Sequence, residues 1–157
     1  MRGILAAHCV DTRVVWVADS FAGLPPPEPE AYPADRDDPH HTFKELVVPL
    51  EQVRANFARY GLLDDQVSFL EGWFADTLPS APIERLAVLR MDGDMYSSTI
   101  QTLDALYTKV APGGYVIVDD FNLLGCRKAI TDFRDRWNIT EEIEPVDGSA
   151  VYWRRSL

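Results

Sequence analysis

The chain is predicted to fold as an α/β domain built on a Rossmann-like, largely parallel sheet, and three observations predict it. Short strand-type runs alternate with stretches of helical periodicity, the pattern of a parallel sheet covered by helices on both faces. Three of those runs stop abruptly on aspartate, at the strand ends where such sheets bind ligands. The 157 residues, 46% of them apolar and 25% charged, suit one domain with its own core.

The elements follow in chain order. Ile4 to His8 reads as the end of a helix, and Val14 to Ala18 as the first strand, closing on Asp19. The proline-rich segment from Pro25 to Pro49, with its charge run Asp35-Arg36-Asp37-Asp38, suits neither regular element and is expected to be a long loop. Leu50, Val53, Phe57 and Tyr60 recur at helical spacing before Gly61, a C-terminal stop. Val67 to Glu71 is a second strand, and Leu86 to Met91 a third, apolar apart from Arg90 and ending in Asp92-Gly93-Asp94. Ser97-Ser98-Thr99 is expected to cap a helix carrying Ile100, Leu103, Leu106 and Val110, which Pro112-Gly113-Gly114 ends. Tyr115 to Val118 is a fourth strand that stops on Asp119-Asp120, and a helix covers about Cys126 to Trp137. Asp147-Gly148 between Ile143–Val146 and Val151–Arg154 signals a C-terminal antiparallel hairpin. Phe57, Tyr60, Tyr107 and Trp137 are expected in the core.

Charge and cysteine use narrow the function. A formal charge of −10 repels phosphate backbones and anionic lipid, so neither nucleic acid nor a membrane is an expected partner. Cys9 and Cys126 lie far apart without metal-ligand spacing, as in a reduced, cytoplasmic chain. The apolar run at the N-terminus is too short for a signal peptide, and no stretch approaches the roughly 20 residues of a membrane span.

The three acidic strand ends carry the chemistry. A carboxylate just past an early strand can accept both hydroxyls of a ribose, the functional reading of Asp19; a turn or a helix cap is the plain one. Asp92 with Asp94, and Asp119 with Asp120, are ordinary acidic turns if taken singly. Brought together after consecutive parallel strands they make a hard oxygen site that Mg²⁺ accepts, and without a cation such charges repel. Asp-x-Asp after an apolar strand, with a later acidic pair, also resembles a haloacid dehalogenase-type phosphatase. Against that stand Tyr96, where Thr or Val is expected, and the late position of the strand. His40 and His41 read as a solvated loop pair rather than metal ligands.

VWVADSFAGLPPP, VRANFARYGLLDDQVSFLEGWFADTLP, LRMDGDMYSSTIQTLDALYTKVAPGGYVIVDDF and VYWRR together closely resemble the macrocin O-methyltransferase family, over nearly the whole chain from Met1 to Arg155. The resemblance implies a class I methyltransferase fold, S-adenosylmethionine and Mg²⁺ as cofactors, and a sugar hydroxyl of a macrolide- or aminocoumarin-type secondary metabolite as acceptor. It implies a glycosylated small molecule as partner and a homo-oligomer. Residue by residue, Asp19 and Ser20 match the ribose-binding pair. Glu71, Gly72, Trp73 and Phe74 match the segment lining the adenine. Asp92, Asp119 and Asp120 match the metal-binding acids, with Asp92 also the candidate base. Asp94 completes the DGD motif, and the loop 25–49 is expected to be a lid. The family places a first strand and a glycine-containing turn ahead of the helix that here starts at Met1. A partial domain without them is therefore expected, with apolar sheet surface exposed. A non-catalytic remnant acting as a binding module is the alternative to an enzyme.

Overall fold

β-branched and aromatic residues favour the pleated, half-buried surface of a sheet, and the computed structural model, which describes residues 1–156, places strands where they cluster. Val15–Asp19 (β1) and Val67–Glu71 (β2) pair in parallel, Val15 opposite Val67 and Asp19 opposite Glu71. Leu86–Met91 (β3), Val110–Val118 (β4), Glu144–Pro145 (β5) and Val151–Arg154 (β6) form a second sheet in the order β3-β4-β6-β5. β3 and β4 are parallel, whereas β6 runs antiparallel to both β4 and β5, the hairpin expected from Asp147-Gly148. The Asp147 carboxylate accepts the N–H groups of Ser149 and Ala150, each at 2.8 Å, which closes that turn.

The helices are Arg2–Ala7 (α1), Leu50–Arg59 (α2), the single turn Phe74–Thr77 (α3), Tyr96–Leu106 (α4) and Leu124–Trp137 (α5). Two expectations need correction. α4 gives way at Leu106 to a 3₁₀ turn over Tyr107–Lys109, and β4 has begun by Val110, so Pro112-Gly113-Gly114 lies inside a strand instead of ending a helix. The register explains how: Leu86 pairs with Val110 but Val88 with Tyr115, so the Pro-Gly-Gly segment bulges out of the ladder. Gly113 there has φ +76°, and its N–H donates to the Arg155 carbonyl at 2.8 Å. The serine-threonine run does not cap α4 either, since its start receives no bond from its own cap residue.

The core lies on the four-stranded sheet. Val116 and Val118 of β4, Trp153 of β6, Leu103 of α4 and Ala129, Ile130 and Phe133 of α5 are fully buried. Phe133 meets Tyr107 edge-on with ring centroids 5.0 Å apart. Burying each such side chain contributes about 1.5–3 kcal/mol, so this half supplies most of the hydrophobic stabilisation.

The β1–β2 half is thinner. No residue of β1, β2 or α2 is fully buried, and the two sheets share no strand pairing. Tyr107 is in the core as expected, but Tyr60 is 74% exposed and Trp137 47%. Tyr60 caps the short α2 on the thin half, where helical periodicity finds no second layer to bury its last aromatic. Trp137 stacks one face on Phe133 and leaves the rest in solvent. Among the described residues no helix is long and apolar enough to cross a membrane.

Candidate functional site

Parallel pairing brings the acidic strand ends together. Because Met91 is in register with Val118, the next residues, Asp92 and Asp119, leave the sheet side by side. The Asp119 N–H donates to the Met91 carbonyl at 2.9 Å, which holds that alignment one step past the strands. Asp92 faces both Asp119 and the Arg90 guanidinium, 3.1 Å from the latter, and Arg90 also bonds Asp119. Asp120 accepts the Asp94 N–H at 3.2 Å. Asp94 sits in the left-handed region at φ +55°, where aspartate is tolerated better than most side chains. The DGD turn thus folds back over the acid that closes β4.

The electrostatics follow. Burial, the neighbouring Asp120 and Asp119 charges push the Asp92 carboxyl above its ordinary range, and Arg90 opposes them. Burial raises Asp120 as well, with the charges of Asp94 and Asp119 adding to it. Asp94 is raised chiefly by burial, against the pull of His40. Burial leads in all three, and for Asp92 and Asp120 the neighbouring carboxylates add to it. Among the described residues no three His, Cys, Asp or Glu side chains stand together as a ready set of metal ligands. The donor chemistry nevertheless fits a hard divalent cation: oxygen donors only, half-buried, with one guanidinium among them.

At β1 and β2 the same alignment joins the other expected residues. Asp19 lies opposite Glu71, and the Gly72 N–H donates to the Asp19 carbonyl at 2.9 Å. One oxygen of the Asp19 carboxylate accepts the Phe21 N–H at 2.6 Å; the other has no partner among the described residues and is exposed. Ser20 spends its hydroxyl on the loop, donating to the Gly23 carbonyl at 2.6 Å and accepting from Ala22. Gly72 has φ +136°, and a Cβ there would lie 2.7 Å from the Thr77 Cγ2, so only glycine fits. Trp73 is 38% exposed, ahead of α3. Phe74 bridges the two halves, its ring edge 3.5 Å from the position of a Cβ on Gly93. The half-exposed Trp73 and the free Asp19 oxygen leave a flat ring and a diol an edge to bind.

Asp35 and Arg90 went unassigned on sequence, and His40, read there as solvated, is half-buried. Asp35, only 1% exposed, accepts the N–H groups of Tyr96 at 2.7 Å and Ser97 at 2.9 Å, and so caps α4 from the loop 25–49. His40 bonds Asp38 through Nδ1 at 2.7 Å. Arg90 is the cation between Asp92 and Asp119. Only Arg90 left a signal, as the one charge in an apolar strand; nothing in the charge run singles out Asp35. The loop itself holds three 3₁₀ turns, Pro33–Asp35, His40–Thr42 and Lys44–Leu46.

Comparison with known proteins agrees with this architecture. A solved structure described as the O-methyltransferase NovP superposes with a TM-score of 0.96 at 52% identity, covering 100% of this chain and 66% of that one. A calicheamicin methyltransferase, CalS11, shares the fold with a TM-score of 0.73 at 19% identity. In sequence, the chain is 52% identical to a tetracenomycin 4'-O-methyltransferase of Streptomyces olivaceus, over 99% of this chain and 60% of that protein. It is 51% identical to the mycinamicin III 3''-O-methyltransferase of Micromonospora griseorubida, over 99% of this chain and 62% of the relative. The chain therefore spans about 60% of the length of the curated relatives it matches. The fold is that of the class I methyltransferases, and the match removes the ground for a dehalogenase-type hydrolase. Residues 1–155 match the macrocin O-methyltransferase (TylF) family model, and the chain belongs to that family.

Proposed function

We propose that this chain carries the donor-binding and acid-lined part of an enzyme that transfers a methyl group from S-adenosylmethionine to a sugar hydroxyl of a glycosylated secondary metabolite. The observation that supports it most is that the Asp19–Gly72 pair closes the parallel strands of one sheet and Asp92 and Asp119 close those of the other, with Phe74 packed against Gly93 between them. Family membership and relatives named as sugar O-methyltransferases point the same way.

In this reading the free oxygen of Asp19 binds the ribose diol, with Ser20 holding the loop beside it. Gly72, Trp73 and Phe74 line the adenine. Asp92, Asp119 and Asp120 would hold a Mg²⁺. When bound, the donor supplies an electrophilic methyl on a sulfonium and the cation supplies positive charge beside the acceptor oxygen. Asp92, its carboxyl raised by burial and neighbours, is placed to accept the hydroxyl proton. Positioning and proton removal are then the protein's main tasks. The loop 25–49 acts as a lid, since its Asp35 is anchored on α4 beside the DGD turn. The acidic surface suits a cytoplasmic protein, and the family resemblance supports assembly into a homo-oligomer.

Calorimetric titration with S-adenosylmethionine, with and without Mg²⁺, followed by methyl-transfer assays on rhamnosides, tests the proposal. Saturable donor binding that D19A abolishes is expected. Absence of binding to the wild-type protein refutes it.

A further inference from the structure

Arg90 is the one charged residue of β3, and its place on the strand decides where its head goes. Side chains two apart along a strand leave the same face, so Arg90 and Asp92, just past the strand end, emerge together while Leu89 and Met91 are buried. The pairing of Met91 with Val118 brings Asp119 alongside. A single guanidinium nitrogen, Nη2, then lies 3.1 Å from the Asp92 Oδ2 and also bonds the Asp119 Oδ2. Those two carboxylates are the only polar partners of the Arg90 head among the described residues, and the side chain is 44% exposed.

Two acids this close need positive charge between them. Burial, Asp120 and Asp119 all act against ionisation of Asp92, and Arg90 acts for it. A divalent ion ligated by both Asp92 and Asp119 needs their oxygens turned toward it, and the guanidinium fills the space between those oxygens. The two cations would also repel each other at such separations. Both cannot hold the acids at once. Arg90 is the one that can leave, because its head sits on a long, partly exposed stem that water can take back.

We propose that Arg90 is a positioning residue that stands in for the divalent cation: it bridges Asp92 and Asp119 in the metal-free protein and releases them when the ion binds. This rests on the reading above that those acids hold Mg²⁺. The stand-in keeps the two carboxylates side by side before the ion arrives, and it sets a charge threshold. A monovalent ion replaces one positive charge by another and gains nothing, whereas a divalent ion adds one.

The full-length protein tests this in two ways. Calorimetry with Mg²⁺ is expected to show R90Q binding about three- to tenfold more tightly than wild type, the worth of two partly exposed ion pairs. Metal-free R90Q should melt about 2–4 °C below wild type, and saturating Mg²⁺ should close that gap, because contacts made only without the ion cannot stabilise the loaded protein. Without any substitution, the Arg90 side-chain ¹⁵N–¹H signal of the wild type should move on titration with MgCl₂ and stay nearly in place with NaCl at equal ionic strength. Equal or weaker Mg²⁺ binding by R90Q, a Tm gap that persists at saturation, or an Arg90 signal that MgCl₂ leaves unmoved or NaCl moves equally overturns the exchange. Absence of Mg²⁺ binding by wild type and R90Q alike overturns the parent metal reading instead, and is recognised because it does not depend on residue 90.

Discussion

Replacing Asp35 by alanine should unlatch the loop from α4 and destabilise the whole domain. The carboxylate is 1% exposed and accepts two backbone N–H groups, at 2.7 and 2.9 Å, at the positive end of an 11-residue helix. Alanine leaves both donors buried without partners; each orphan costs about 1–3 kcal/mol, and loss of an N-cap alone about 0.5–2. Since water will reach part of the space, the expected loss is about 3 kcal/mol, or about 6–12 °C in Tm for a domain of this size. D35N keeps one acceptor oxygen and loses the charge that favours the helix dipole, so about 1 kcal/mol is expected. Urea unfolding followed by circular dichroism reads both values, provided the slope is unchanged between variants. Amide hydrogen exchange at Tyr96 and Ser97 should quicken by about 100-fold in D35A, the equivalent of about 3 kcal/mol. A loss below about 0.5 kcal/mol with protection unchanged at both amides would show that Asp35 is not the cap and that the loop is not anchored there.

D120N is expected to raise the Tm of the metal-free protein. A carboxyl whose folded pKa exceeds its unfolded value adds stability below the unfolded value and withdraws it as pH rises through the folded one, so ionised Asp120 weakens the fold at neutral pH. Mg²⁺ should stabilise the wild type and do so less in D120N; differential scanning calorimetry with and without the ion checks both signs. D19A is expected to weaken S-adenosylmethionine binding by about 10- to 150-fold, the worth of a hydrogen bond to a charged group, as read by calorimetry. Burial pushes the Cys126 thiol up to about 12, whereas Cys9 is exposed. Ellman's reagent at pH 8 should therefore titrate one thiol in the native protein and two in urea.

Sequence alone determined the class of fold and the chemistry of its edge. Apolar runs alternating with helical periodicity demand a parallel sheet whatever the details, because the strands must be buried and the crossovers covered. Aspartates closing β3 and β4 in the sequence must emerge side by side once those two strands pair in parallel, and the same holds for Asp19 and Glu71 at the ends of β1 and β2. Tertiary structure decided what those local patterns left open. Asp35 stands among four charged residues in a row, and only the approach of the loop to the start of α4 distinguishes it from Asp37. Tyr60 has the spacing of a core residue, yet its exposure depends on how thin the layer above α2 is. The Pro-Gly-Gly segment stops a helix on paper, but the pairing of Leu86 with Val110 and Val88 with Tyr115 makes it a bulge within β4. Periodicity and residue type act over a few neighbours, whereas capping, burial and charge pairing between distant segments depend on which surfaces meet.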